Sequence, residues 1–187
     1  MRLIVDLDGT VFPTYDSIAR LHLQKTGEPL DWTQICEDNT HPFWKTPSGK
    51  WTRGQFTNHQ LYANLKAYSC VNDILRLAIH LEWQLAYITA RYPTMSHETY
   101  YSLGNNHLPF APVIFVEREL APQRKAQLAR NYHADLCIDD ELYVLQELEK
   151  SHIPFIKIPQ VYNIKNWKSA MISNAWHQVE LIVKGDK

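Results

Sequence analysis

Short apolar runs recur along this 187-residue chain at 2–7, 84–88, 112–116, 135–138 and 153–158. Their apolar residues are consecutive rather than alternate, which is the mark of strands buried on both faces. From residue 71 onward they are separated by segments with helical spacing: 71–80, 93–103, 123–132 and 141–150. Strand and helix in alternation predict an α/β chain with a parallel sheet and helices on both faces. Near the end, Trp167, Met171, Ala175 and Val179 or Ile182 fall on one stripe. That stripe predicts an amphipathic helix within 164–183 packed on the core.

Residues 14–70 break the rhythm. The stretch His41-Pro42-Phe43-Trp44-Lys45-Thr46-Pro47-Ser48-Gly49-Lys50-Trp51 reads as loop and short helix, not as strand and crossover. We therefore expect a core made of 1–13 and 71–187, with 14–70 inserted after the first strand as a small, mostly helical cap. Ligands of such sheets sit at the carboxyl ends of the strands, so an insertion leaving from that edge overhangs the site.

Composition narrows the function classes. Nineteen Lys and Arg against 20 Asp and Glu give a formal charge of −1. An extended nucleic-acid partner needs a clustered positive surface, so a small-molecule partner is expected. No run reaches the length of a membrane span, and 75–90 is interrupted by His80, Glu82 and Gln84. Met1-Arg2-Leu3-Ile4-Val5-Asp6 is too short in its apolar part for a signal peptide. Cys36, Cys70 and Cys137 are widely spaced and form no CxxC pair. Reduced cysteines and a cytoplasmic location follow as expectations.

Candidate chemistry gathers at the ends of successive predicted strands. In Asp6-Leu7-Asp8-Gly9-Thr10 the two carboxylates are at i and i+2, so they point the same way and need a positive partner. A hard divalent cation such as Mg²⁺ would meet that need with oxygen ligands. Gly9 permits a tight turn that leaves amides facing an anion. Thr89-Ala90-Arg91 ends the second run, placing a hydroxyl, a backbone amide and a cation at the same edge. Lys125 opens the helix after the third run, as a point charge suited to phosphate. Asp139 and Asp140 close the fourth run and offer further metal ligands. Taken singly, Thr89 is an ordinary strand-end threonine and Lys125 an ordinary surface lysine. Their order on four strand ends is what carries information.

In that order they resemble the haloacid dehalogenase (HAD) superfamily, whose pattern is DxDGT or DxDGV, a strand-end Thr or Ser, a Lys, and a terminal acidic pair. The resemblance spans 6–140 and implies a Rossmann-like sheet with a cap. It implies that Asp6 is a nucleophile forming an aspartyl-phosphate and that Asp8 is the general acid and base. Thr89 and Lys125 would hold phosphate oxygens. The metal, Mg²⁺, would be bound by Asp6, the Asp8 carbonyl, and Asp139 or Asp140. Within the superfamily, the cap position and the tail Pro159-Gln160-Val161-Tyr162-Asn163-Ile164-Lys165-Asn166-Trp167 are similar to the 5′(3′)-deoxyribonucleotidases. The expected reaction is hydrolysis of a nucleoside monophosphate. Gly9, Ala90 and Arg91 would lie along the substrate, unless Arg91 is a structural salt-bridge partner, and Phe43 and Trp44 would either stack the base or join the cap to the core. The alternatives are another small phosphate ester, a nucleic-acid 3′-phosphate end, or a non-catalytic phosphate-binding module.

Overall fold

The structure is a computed structural model and describes residues 1–32, 41–160 and 170–185. Five strands, β1 (Arg2–Val5), β2 (Gln84–Thr89), β3 (Val113–Phe115), β4 (Leu136–Asp139) and β5 (Phe155–Lys157), form one sheet in the order β3-β2-β1-β4-β5. Every pairing is parallel, as consecutive apolar runs predict. The helices are α1 (Thr14–Thr26), α2 (Pro47–Gly54), α3 (His59–Ala63), α4 (Val71–His80), α5 (Ser96–Asn105), α6 (Ala121–Asn131), α7 (Leu142–Lys150) and α8 (Ala170–Lys184).

Alternate strand residues feed two apolar layers, because side chains of a strand leave on opposite faces. Leu3, Val5, Leu85, Tyr87, Leu136 and Ile138 meet Ile74 and Leu75 of α4 and Trp176 and Val179 of α8. Ile4, Ile88 and Cys137 meet Ala126 and Ala129 of α6 and Val144, Leu145 and Leu148 of α7. Two covered faces leave the strand ends as the place where polar side chains can gather. Strand order reverses on either side of β1, so the carboxyl end of β1 is the switch point where such sheets bind ligands.

The final helix forms, but its buried stripe is Ile172, Ala175, Trp176, Val179 and Val183. Ala175 and Val179 are on it as expected, whereas Met171 is only partly buried and Ile182 is exposed. Trp167 lies outside the described residues. Between β1 and α4 the described chain contributes α1, α2 and α3 and short 3₁₀ turns, but no strand. Thr46 and Asn58 cap α2 and α3 by accepting from the backbone N–H groups of Gly49 and Leu61. This segment buries a small cluster of its own, with Ile18, Trp32 and Trp44 inside and Tyr15, Phe43 and Phe56 packed against them.

Candidate active site

Strand register builds the site. Val5 pairs with Ile138, and the Asp6 N–H donates to the Ile138 carbonyl at 2.9 Å, so Asp6 and Asp139 leave neighbouring strands side by side. Lys125, in the second turn of α6, reaches over the edge and bridges them. Its Nζ donates to Asp6 Oδ1 at 2.6 Å and to Asp139 Oδ2 at 2.8 Å. All three are almost wholly buried. Burial alone would lower the lysine's pKa, but Asp139 and Asp6 hold it well above its ordinary value. For Asp6, burial pushes the carboxyl up, Lys125 pulls it down, and Asp139 and Asp8 push it up again. Ions taken out of water at several kcal/mol each make poor stability devices, so an edge this rich in charge points to chemistry.

After Asp6 the chain turns sharply. Gly9 has φ of +86°, and a Cβ there would stand 2.2 Å from Asp140 Oδ2. Only glycine lets the turn press against that carboxylate. Thr10 Oγ1 donates to Asp140 Oδ1 at 3.0 Å, Trp176 Nε1 donates to the Thr10 carbonyl, and Gln160 Nε2 donates to the Gly9 carbonyl. Asp140 is thus seated against the turn from the neighbouring strand end.

Asp8 is held differently. Arg91 Nε donates to its Oδ2 and Arg91 Nη2 to its Oδ1, both at 2.8 Å, and Thr14 Oγ1 donates to Oδ1 at 2.6 Å. Arg91 is 3% exposed and lies between two rings, 4.7 Å from the centroid of Tyr62 and 5.2 Å from that of Phe12. Its Nη1 donates to Thr99 Oγ1. Burial would raise the Asp8 carboxyl, but the Arg91 guanidinium and the Thr14 hydroxyl bring it below its ordinary value. Asp8 is therefore fixed here as a carboxylate.

The structure brings Asp6, Asp8, Gly9, Lys125, Asp139 and Asp140 to this edge. Thr89 ends β2 beside β1, buried, and its Oγ1 accepts from the Arg91 N–H at 3.2 Å. Ala90 packs against the apolar layer with Ile88. Phe43 and Trp44 are placed otherwise: Trp44 lies inside the small cluster between α1 and α3, with Arg53 4.9 Å over its ring and Phe43 edge-on at 5.2 Å. Sequence reasoning missed Thr14, Tyr62, Phe12 and Gln160 as supports of the site. Only Thr14, four residues after the turn, carried a usable signal.

Asp6, Asp139 and Asp140 each offer an oxygen within 4.8 Å of the others. All three are buried, and at this edge carboxylates outnumber the cations Lys125 and Arg91. Three hard oxygen donors in a crowded, desolvated place fit a divalent cation of the Mg²⁺ class.

No protein-family model matches the sequence, and no curated protein matches it. Solved structures do match in fold. A HAD family hydrolase from Deinococcus radiodurans, with bound phosphate and sodium, superposes with a TM-score of 0.65 at 13% identity. The match covers 99% of this chain and 95% of that one. A haloacid dehalogenase-like family protein from Streptococcus pneumoniae gives 0.60 at 13% identity, covering 93% and 90%. CbbY from Rhodobacter sphaeroides, in complex with phosphate, gives 0.57 at 15% identity, covering 90% of each chain. Among the described residues, no helix is long and apolar enough to cross a membrane. The five-stranded parallel sheet with helices on both faces has the fold of the haloacid dehalogenase-like hydrolases.

Proposed function

We propose that this protein is a phosphomonoester hydrolase of the HAD superfamily whose nucleophile is Asp6. The observation that carries this reading is the Asp6–Lys125–Asp139 bridge at the carboxyl end of the central strand. An Asp6 oxygen attacks phosphorus, the bond to the ester oxygen breaks, and an aspartyl-phosphate forms. Asp8 gives the leaving alkoxide its proton, and then takes a proton from the water that attacks the aspartyl-phosphate, so inorganic phosphate leaves and Asp6 is regenerated. The carboxylate held by Arg91 and Thr14 is the form of Asp8 that the second half needs. Donating in the first half requires it to loosen from that fork and carry a proton. Lys125 and Thr89 hold phosphate oxygens as charge shifts between them. Asp6, Asp139 or Asp140 and the Asp8 carbonyl would hold Mg²⁺, which when bound offsets the negative charge of the carboxylates and the phosphate.

The fold neighbours named as holding phosphate support a small phosphate ester as substrate. Residues 14–70 act as the cap over the core 1–13 and 71–187. A nucleotide is the substrate class read from the tail that includes Tyr162, Asn163 and Trp167, which lies outside the described residues. The test is phosphate release with Mg²⁺ from nucleoside 5′- and 3′-monophosphates, sugar phosphates, phosphorylated oligonucleotide ends and an artificial aryl phosphate. Turnover lost in Asp6→Asn supports the reading. Absence of turnover on every substrate overturns it in favour of a phosphate-binding module.

A further inference from the structure

Arg118 has no part in the chemistry described above, yet it stands at the same edge. It begins the 3₁₀ turn Arg118–Leu120 just past β3, where the Val116 N–H still pairs with the carbonyl of Thr89. The buried cations of the site are committed: Lys125 to Asp6 and Asp139, Arg91 to Asp8 and Thr99. Arg118 is exposed, and no carboxylate among the described residues lies within 4 Å of it. Its guanidinium stands 5.1 Å from the ring centroid of Phe56, which comes from the inserted segment. Its charge is felt by Asp8, Glu141 and Tyr62, which belong to the β1 turn, the β4 end and the insertion. The guanidinium therefore lies where core and insertion meet over the site.

A guanidinium that faces an aromatic ring keeps its in-plane N–H groups for an oxyanion, which it grips with two parallel bonds. We infer that Arg118, backed by Phe56, is a specificity residue that binds a second anionic group on the substrate, beyond the phosphate that is cleaved. This inference rests on the phosphatase reading and names its substrate class: a phosphate ester with a further phosphate or carboxylate. The second anion can belong to a small bisphosphate or to the next phosphate of a nucleic-acid strand. The chemistry at Arg118 is the same for both.

The experiment compares wild type, Arg118→Ala and Arg118→Lys on four probes with Mg²⁺: an aryl phosphate, adenosine 5′-monophosphate, adenosine 3′,5′-bisphosphate and a 3′-phosphorylated dinucleotide. Arg118→Ala is expected to cost a doubly anionic probe at least about tenfold more in kcat/KM than it costs the aryl phosphate, mostly through KM. Arg118→Lys should recover part of that loss. Loss on the bisphosphate alone identifies a small ligand, and loss on the dinucleotide identifies a strand. Equal losses on all four probes overturn the inference. Binding of the bisphosphate to Asp6→Asn, with and without Arg118→Ala, keeps the two readings apart. If no probe is turned over but Arg118→Ala still weakens this binding about tenfold, the phosphatase reading fails and the anion site stands. If binding is unchanged, the anion site fails.

Discussion

The sheet edge and the inserted segment both bury side chains that sequence alone would offer to a substrate, but for opposite reasons. At the edge the buried groups are Asp6, Arg91, Lys125, Asp139 and Asp140. Each of these costs free energy to desolvate, so packing does not explain their presence. In the insertion the buried apolar cluster is Ile18, Trp32 and Trp44, whose burial is favourable in itself, and the buried His22 and Thr52 are hydrogen-bonded to each other. A cluster of charges kept inside against its solvation is evidence of function, whereas an aromatic kept inside is evidence of a core. Substitutions at the edge should therefore cost activity and spare the fold, and those in the insertion should do the reverse.

The sharpest way to break this contrast is Asp6→Asn. It keeps the shape of the side chain and removes one charge from a crowded group, while Lys125 retains Asp139. Phosphate release should fall at least about 10³-fold, with the thermal midpoint unchanged or raised. A falling midpoint with residual turnover would make Asp6 a structural ion-pair member and dissolve the difference between the regions.

Trp44→Ala probes the other side. The ring is 9% exposed, lies against Phe43 and is covered by Arg53, so truncation leaves a cavity. A loss of about 3 kcal/mol in unfolding free energy is expected, with the ratio of nucleotide to aryl-phosphate turnover nearly constant. The opposite pattern, a changed ratio at constant stability, would show that the ring faces substrate after all.

What the sequence disclosed follows the same division. The convergence of Asp6, Asp8, Lys125 and Asp139 was legible because they fall at predicted strand ends or on the helix beside them, and a parallel sheet gathers those ends on one edge. The partnership of Asp8 with Arg91 was not, since 83 residues separate them and only the β1–β2 pairing brings them together. Phe43 and Trp44 were ambiguous in principle, because an aromatic suits a nucleobase and a core equally well. The stripe of α8 was legible in part, at Ala175 and Val179, and for a related reason not at Met171 and Ile182. Its apolar residues are dense enough to draw two stripes, and contact with α4 selects the one with Ile172, Trp176 and Val183.

Arg91→Lys tests the seam between the regions, because Tyr62 of the insertion and Phe12 of the core enclose the guanidinium. Lysine keeps the charge but loses the fork that fixes both oxygens of Asp8. A fall in kcat of roughly tenfold to a hundredfold with little change in KM is expected if Arg91 positions Asp8. A rise in KM alone would instead place Arg91 on the substrate.

The smallest effect concerns pH. His22 of α1 is 2% exposed, and its Nδ1 lies 2.8 Å from Thr52 Oγ1 of α2. Burial lowers its pKa, while Glu28 opposes the shift. A histidine that folds neutral contributes stability that is present above its unfolded value near 6.5 and is lost as pH falls through that value toward the folded one. The insertion should therefore loosen modestly in mild acid. Between pH 7.5 and 5.5 the thermal midpoint of the wild type should fall relative to that of His22→Gln, whose amide can still meet Thr52. Equal slopes would assign the acid response elsewhere.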